Sequence, residues 1–137
     1  MLRIMAVAIL FTASMAAVAP SYAQEQQLAP AQKPVILKPK MRLALWRGAV
    51  QFIRGVEIAG TEVDAFLDTR KVLTDGIDAQ VKAGKKDEDE VTIDLRLDQA
   101  NNLFSLMQRG KVKAEEADLH KEITSSLQEA AKAVQPK

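Results

Sequence analysis

His120 is the single histidine of the chain, and Glu116 precedes it by one helical turn. A carboxylate and an imidazole at this spacing can share a metal ion or a proton. A metal site needs three or four ligands, however, and there is no second histidine and no thiol to supply them. His120 is therefore expected to be a partly exposed side chain flanking Leu119 and Ile123. Asp87-Glu88-Asp89-Glu90 offers hard oxygens to calcium, yet it lacks the glycine turn and distal glutamate of a calcium loop. Lys85-Lys86 beside it offsets part of its field, so the run reads as a solvated connection. Ser105, Ser125 and Ser126 fall inside helical patterns, and no Gly-x-Ser-x-Gly, Ser-x-x-Lys or glycine-rich phosphate loop occurs. No catalytic residue, metal set or cofactor is expected.

Recognition is better provided for than reaction. Arg42, Trp46, Arg47 and Arg54 form a candidate interaction surface. Arg47 and Arg54 are seven residues apart, on one helix face, and Trp and Arg are the side chains most often found as interface anchors. The competing expectation is that the arginines solvate a helix and Trp46 belongs to the core or its edge. A different function would follow if Phe52, Phe66, Phe104 and Met107 lined one apolar pocket between the layers, making the protein a carrier of a small apolar ligand.

The elements that must hold these residues begin after a distinct N-terminus. Arg3 and the uncharged run Ile4–Ala19, followed by Ser21-Tyr22-Ala23, predict a cleaved signal peptide over residues 1–23, with cleavage after Ala23. The run of about 16 residues is short of the ~20 a membrane-spanning helix needs, so no stable anchor is expected after cleavage. The protein is then periplasmic or secreted. The mature chain has 137 − 23 = 114 residues, suited to one domain. Without Arg3 the basic residues number 19 − 1 = 18 against 18 acidic ones, a balance that offers no footprint for nucleic acid. Residues 24–40, with Pro30, Pro34 and Pro39, predict an extended arm whose apolar patch Val35-Ile36-Leu37 lies against the domain or a partner. A single domain over 41–135 follows.

Val91, Ile93, Leu95 and Leu97 alternate with polar residues, the pattern of a strand with one buried face. Asp98 then predicts an N-cap, Ala100, Leu103, Phe104 and Met107 a helix, and Gly110 a left-handed stop. Met41–Gly55 predicts a short strand followed by a helix. Thr61–Ala83 predicts the longest helix, capped by Thr61, with Gly76 marking close packing against a neighbour. Ala114–Val134 predicts a last helix whose alanine-rich stripe docks weakly or completes an oligomer. At an offset of 54, Met41-Arg42-Leu43 falls on Leu95-Arg96-Leu97, Phe52-Ile53 on Leu106-Met107, Glu62 and Asp64 on Glu116 and Asp118, and Leu73 on Leu127. This pattern predicts a duplication, 41–84 and 91–134. The fold class is a mostly helical α+β, with two strand-helix-helix units and a short antiparallel two-stranded ribbon packed on about four helices.

Over Val91–Leu127 this element order resembles the ribbon-helix-helix repressors, which set such a ribbon in the DNA major groove. The resemblance implies outward strand residues Thr92, Asp94 and Arg96, and a carboxylate there opposes phosphate. The function expected is a small exported non-catalytic protein acting on an unknown protein partner or as a homo-oligomer. Nucleic acid is not expected as a partner.

Overall fold

The computed structural model describes residues 33–135. The predicted signal peptide and the arm up to residue 32 lie outside the described residues. The described residues from Pro34 on form one compact unit. Its elements are β1 (Ile36–Leu37), β2 (Lys40–Arg42), α1 (Leu43–Arg54), α2 (Val63–Lys82), β3 (Glu90–Thr92), β4 (Leu95–Arg96), α3 (Leu97–Arg109) and α4 (Ala117–Ala133). Short 3-10 turns at Gly60–Glu62 and Ala114–Glu116 lead into α2 and α4. This is the mostly helical α+β fold expected, with four helices and short antiparallel ribbons among the described residues. No helix among the described residues is long and apolar enough to cross a membrane.

The two halves repeat each other in register. Adding 54 to the first residue of α1, of the first 3-10 turn and of α2 (43, 60, 63) gives the first residue of α3, of the second turn and of α4 (97, 114, 117). Strand pairing obeys the same relation. Ile36 pairs with Arg96 and Leu37 with Leu95, while Arg42 pairs with Glu90 and Met41 with Val91. Since 36 + 54 = 90 and 96 − 54 = 42, each pair is the image of another. Carried across the gap between the two ladders, the register sets Pro39 opposite Ile93, its own equivalent. Proline has no N–H to give a ladder, and this is where the ribbon's bonding is interrupted.

Alternation puts one ribbon face into the core. Leu37, Pro39, Met41, Val91, Ile93 and Leu95 are buried, while Lys38, Lys40, Arg42, Asp94 and Arg96 face outward. Residues 36–40 thus belong to the ribbon and not to a free arm, because Leu37 and Pro39 have a core to enter. The first N–H groups of α1 are met by backbone: Leu43 donates to the Asp89 carbonyl at 3.0 Å and Ala44 to Asp87 at 3.1 Å. The symmetric bond runs from Leu97 to the Val35 carbonyl at 3.0 Å.

Several local expectations are corrected. Helix α3 starts at Leu97, so Asp98 lies inside its first turn rather than at the N-cap, and Leu97 is 41% exposed. The Gln99 side chain accepts from the Arg96 N–H at 3.0 Å and takes the capping role. Gly110 is extended, at φ −70° and ψ 149°, not left-handed. A Cβ there would stand 2.5 Å from Phe52 Cζ, so close approach is what requires glycine. Thr61 caps nothing; the Glu62 carboxylate accepts from the Ala59 N–H at 2.8 Å instead. Gly76 does mark close packing, with Ile93 Cγ2 2.7 Å from where its Cβ would be.

The helix with the fewest buried residues is α2, not the last one. Helix α4 buries Ile123, Leu127 and Ala130, whereas the longer α2 buries only Thr69 and Leu73. The reason is a polar seam between α2 and α3. Asn102 Nδ2 donates to Thr69 Oγ1 at 2.9 Å and to the Ala65 carbonyl at 3.1 Å, and Gln99 Nε2 donates to Asp68 at 3.0 Å. The equivalent positions between α1 and α4 are Gly48, Ile123 and Leu45, which pack without such bonds.

Candidate functional site

Trp46 is no surface anchor. It is fully buried, and its indole N–H donates to the Val91 carbonyl at 3.1 Å. A large ring on the core side of α1, with its one polar atom satisfied by the ribbon, is a structural role. The arginines around it are dispersed. Arg42 reaches Glu122 of α4 at 3.1 Å, and Arg47 reaches Asp87 at 3.3 Å. Arg54 is exposed, with no ion-pair partner among the described residues. The four residues do not converge into one site.

The aromatic pocket also divides. Met107 is fully buried in the core. Phe104 lines a cavity of about 190 Å³ with Leu37, Ala100, Leu127 and Ala131. Phe52 lines a separate cleft, and Phe66 lies under the guanidinium of Arg70, 5.6 Å from its centroid. Phe52, Phe66, Phe104 and Met107 therefore share no single cavity.

His120 completes a helix end. Its Nε2 lies 2.6 Å from the Met107 carbonyl, which can only accept, so that nitrogen carries the proton and donates. The carbonyl belongs to the last turn of α3, where backbone acceptors lack helical partners. The ring meets Phe52 edge-on at 5.3 Å. The carboxylates of the charge run are spent separately: Asp87 on Arg47, Asp89 on the Lys86 N–H at 2.8 Å, and Glu90 on Lys40 at 3.2 Å. Among the described residues no three His, Cys, Asp or Glu side chains are grouped to hold a metal.

Two surface features remain, and both come from differences between the halves. The first is a cleft of about 770 Å³ where the end of α1 faces the approach to α4, walled by Gly48, Phe52, Gly55, Lys111, Glu116 and Leu119. The equivalent residues of the other half are bonded to one another, and two of them, Arg109 and Glu57, also border this cleft. There Arg109 clasps Glu62 through two bonds, Nη1 to Oε1 at 2.6 Å and Nη2 to Oε2 at 3.1 Å, and donates to the Glu57 carbonyl at 2.9 Å. The fork holds the Glu62 carboxyl below its ordinary range, and the Ala59 N–H adds to the effect. At the open cleft Gly55 replaces Arg109, and Glu116 replaces Glu62. The ribbon keeps the symmetry that the cleft breaks: Arg42–Glu122 and Arg96–Asp68, at 3.1 and 2.7 Å, are equivalent bridges. Arg96 also holds Asp98, whose carboxyl is lowered in consequence.

The second feature is the outer flank of α2. Val63, Leu67 and Val81 are 39, 42 and 44% exposed, with Phe66 and Ile77 half-buried beside them. Residue spacing overlooked the cleft. The offset of 54 that aligned Glu62 with Glu116 also aligned Arg109 with Gly55, and that second alignment was the available signal.

The class defined by this geometry is a mostly helical α+β protein built of two strand-helix-helix halves on a shared ribbon. Compared with protein-family models, curated proteins and solved structures, the chain finds no match in any of the three.

Proposed function

We propose that this is a small exported, non-catalytic protein of the periplasm or extracellular space, acting by interaction with a protein partner or with itself. The observation that carries the proposal is the flank of α2. Val63 to Val81 spans about 27 Å at 1.5 Å per residue, and its apolar side chains stand among the exposed Asp64, Lys71 and Asp78. They form two apolar patches, Val63 with Phe66 and Leu67, and Ile77 with Val81, with Arg70 and Thr74 between them on the same face. Apolar patches set among polar and charged side chains are common in non-obligate interfaces. Burying the exposed part of each Val or Leu is worth roughly 0.5–1 kcal/mol, enough together to bias association. Export rests on the N-terminal pattern of Arg3, the apolar run and Ser21-Tyr22-Ala23.

Nucleic acid is the less favoured partner. The outward ribbon side chains Lys40, Arg42 and Arg96 are already met by Glu90, Glu122 and Asp68. A carrier role also has less behind it, since the apolar cavity of about 190 Å³ falls below the roughly 300 Å³ at which small-molecule sites begin. Sedimentation over a range of concentrations, with cross-linking in envelope extract, tests the interaction reading. Self-association or a discrete adduct, either of them weakened by Leu67→Asp, is the expected result. A strict monomer without any adduct overturns it.

A further inference from the structure

We propose that the cleft between α1 and α4 is a receptor for a guanidinium group, with Glu116 as its anchor, and that an arginine side chain of a protein partner supplies it. This deepens the interaction reading and rests on it. The protein's own other half shows the bound arrangement. Arg109, at the end of α3, lays its fork across Glu62 at the turn before α2 and gives a third bond to the Glu57 carbonyl. Moved by 54 positions, the same frame consists of Gly55 at the end of α1, Glu116 at the turn before α4, and the Lys111 carbonyl. All three residues line the cleft. The residues equivalent to the acceptors border the cleft, and the donor side chain is missing.

Nothing in the backbone demands that absence. Gly55 has φ −90° and ψ −2°, a conformation open to any residue, and an added Cβ would meet only the Phe52 carbonyl oxygen at 3.6 Å, an ordinary contact. The lack of a side chain at 55 leaves space along one wall of the cleft. Glu116 is half-buried at its edge, with no ion pair and no side-chain hydrogen bond among the described residues. The reciprocal bond that Glu62 accepts from Ala59 has no counterpart from Lys113 to Glu116.

Charge and shape favour arginine over other cations. Arg109, which also borders the cleft, is neutralised by Glu62, leaving Glu57 and Glu116 against Lys111. The start of α4 is the positive end of a helix dipole and disfavours a cation. The Arg109–Glu62 pair overcomes the same opposition at the start of α2, by bidentate geometry. A planar fork can satisfy a carboxylate and a neighbouring carbonyl together, whereas an ammonium presents a single point charge. Phe52 and Leu119 provide walls for the methylene stem.

The test is a titration of the ¹⁵N-labelled protein with N-acetyl-arginine amide, free arginine and N-acetyl-lysine amide. Saturable shifts at Gly48, Gly55 and residues 111–116 are expected with the arginine amide. Glu116→Gln should weaken them by roughly tenfold, the loss of one charge-assisted contact. The lysine amide should bind more weakly than the arginine amide. Free arginine binding as well as the amide would assign the site to a small guanidinium metabolite and overturn the partner side chain as its source. Gly55→Arg supplies the fork from within the chain, so it should abolish binding while raising the melting temperature. Absence of saturable shifts, unchanged binding in Glu116→Gln, or undiminished binding in a folded Gly55→Arg each overturns the proposal. If α2-dependent association persists in that event, only the cleft assignment fails. If association is absent while guanidinium binding remains, the interaction face on α2 fails instead.

Discussion

Gly76→Ala sets two effects of known size against each other at the centre of the molecule. Helix propensity alone favours alanine by about 1 kcal/mol at an interior position. The new methyl, however, would lie 2.7, 2.9 and 3.0 Å from Ile93 Cγ2, Cδ1 and Cγ1, where carbon–carbon contacts settle at about 3.5–4.0 Å. Ile93 is 4% exposed, and it is β-branched and stiff at χ1. It lies opposite buried Pro39 in the ribbon register, so it has little room to withdraw. Overpacking of this kind costs about 1–3 kcal/mol. The overlap therefore wins, and a net destabilisation of about 1 kcal/mol is expected in equilibrium urea unfolding. A double-mutant cycle with Ile93→Ala supplies the control, because it removes all three crowding carbons. Ile93→Ala alone should cost about 2–5 kcal/mol, and the alanine at 76 should then recover part of that loss, a coupling of about 1 kcal/mol or more. A stabilised Gly76→Ala and an additive cycle would refute the close approach of α2 to the ribbon.

Trp46→Phe removes the donor to the Val91 carbonyl and part of a fully buried ring, and should lower unfolding stability by about 1–3 kcal/mol without changing the helical circular dichroism. Acid should destabilise the fold through Glu62 and Asp98, whose carboxyls are held below their ordinary values of 4.5 and 3.8 by Arg109 and Arg96. A lowered folded-state value means the stabilisation is fully present above those values and is lost as pH falls through the lower, folded ones. The urea midpoint should accordingly drop in that acidic window, and less so in Glu62→Gln; a midpoint that holds or rises there contradicts the two bridges. Mass spectrometry of the exported protein should find Gln24 as its first residue, and full-length chain retained in the cytosol would contradict export.

Much of the fold was legible because its signals are periodic. The alternation of Val91, Ile93 and Leu95 marked the buried ribbon face, and the offset of 54 marked the repeat that element bounds and strand register now display. Leu97 fits either element by pattern, because a strand alternation and the first turn of a helix predict the same residue type at a junction. Asp98 and Gly110 look like a cap and a left-handed stop by residue type. Their roles depend on neighbours distant in sequence: Gln99 reaching the Arg96 N–H, and Phe52 crowding Gly110. Residues 36–40 read as an extended arm because prolines dominate the segment, and only pairing partners 52 to 60 positions away show that they form half of the ribbon. The candidate site was legible least of all. Trp46 was weighed as an anchor by its type, whereas its burial is decided by the strand above it. The cleft is bordered by the bare Gly55, which stands out only against its equivalent, Arg109.

The interaction reading is tested most directly by a photo-cross-linking amino acid placed at position 67 on the exposed flank of α2, in cells that export the protein. The expected result is a discrete protein adduct, with itself or with a partner, that disappears when Val63 and Val81 are both replaced by Asp. A folded, exported protein that forms no adduct at position 67 would contradict it.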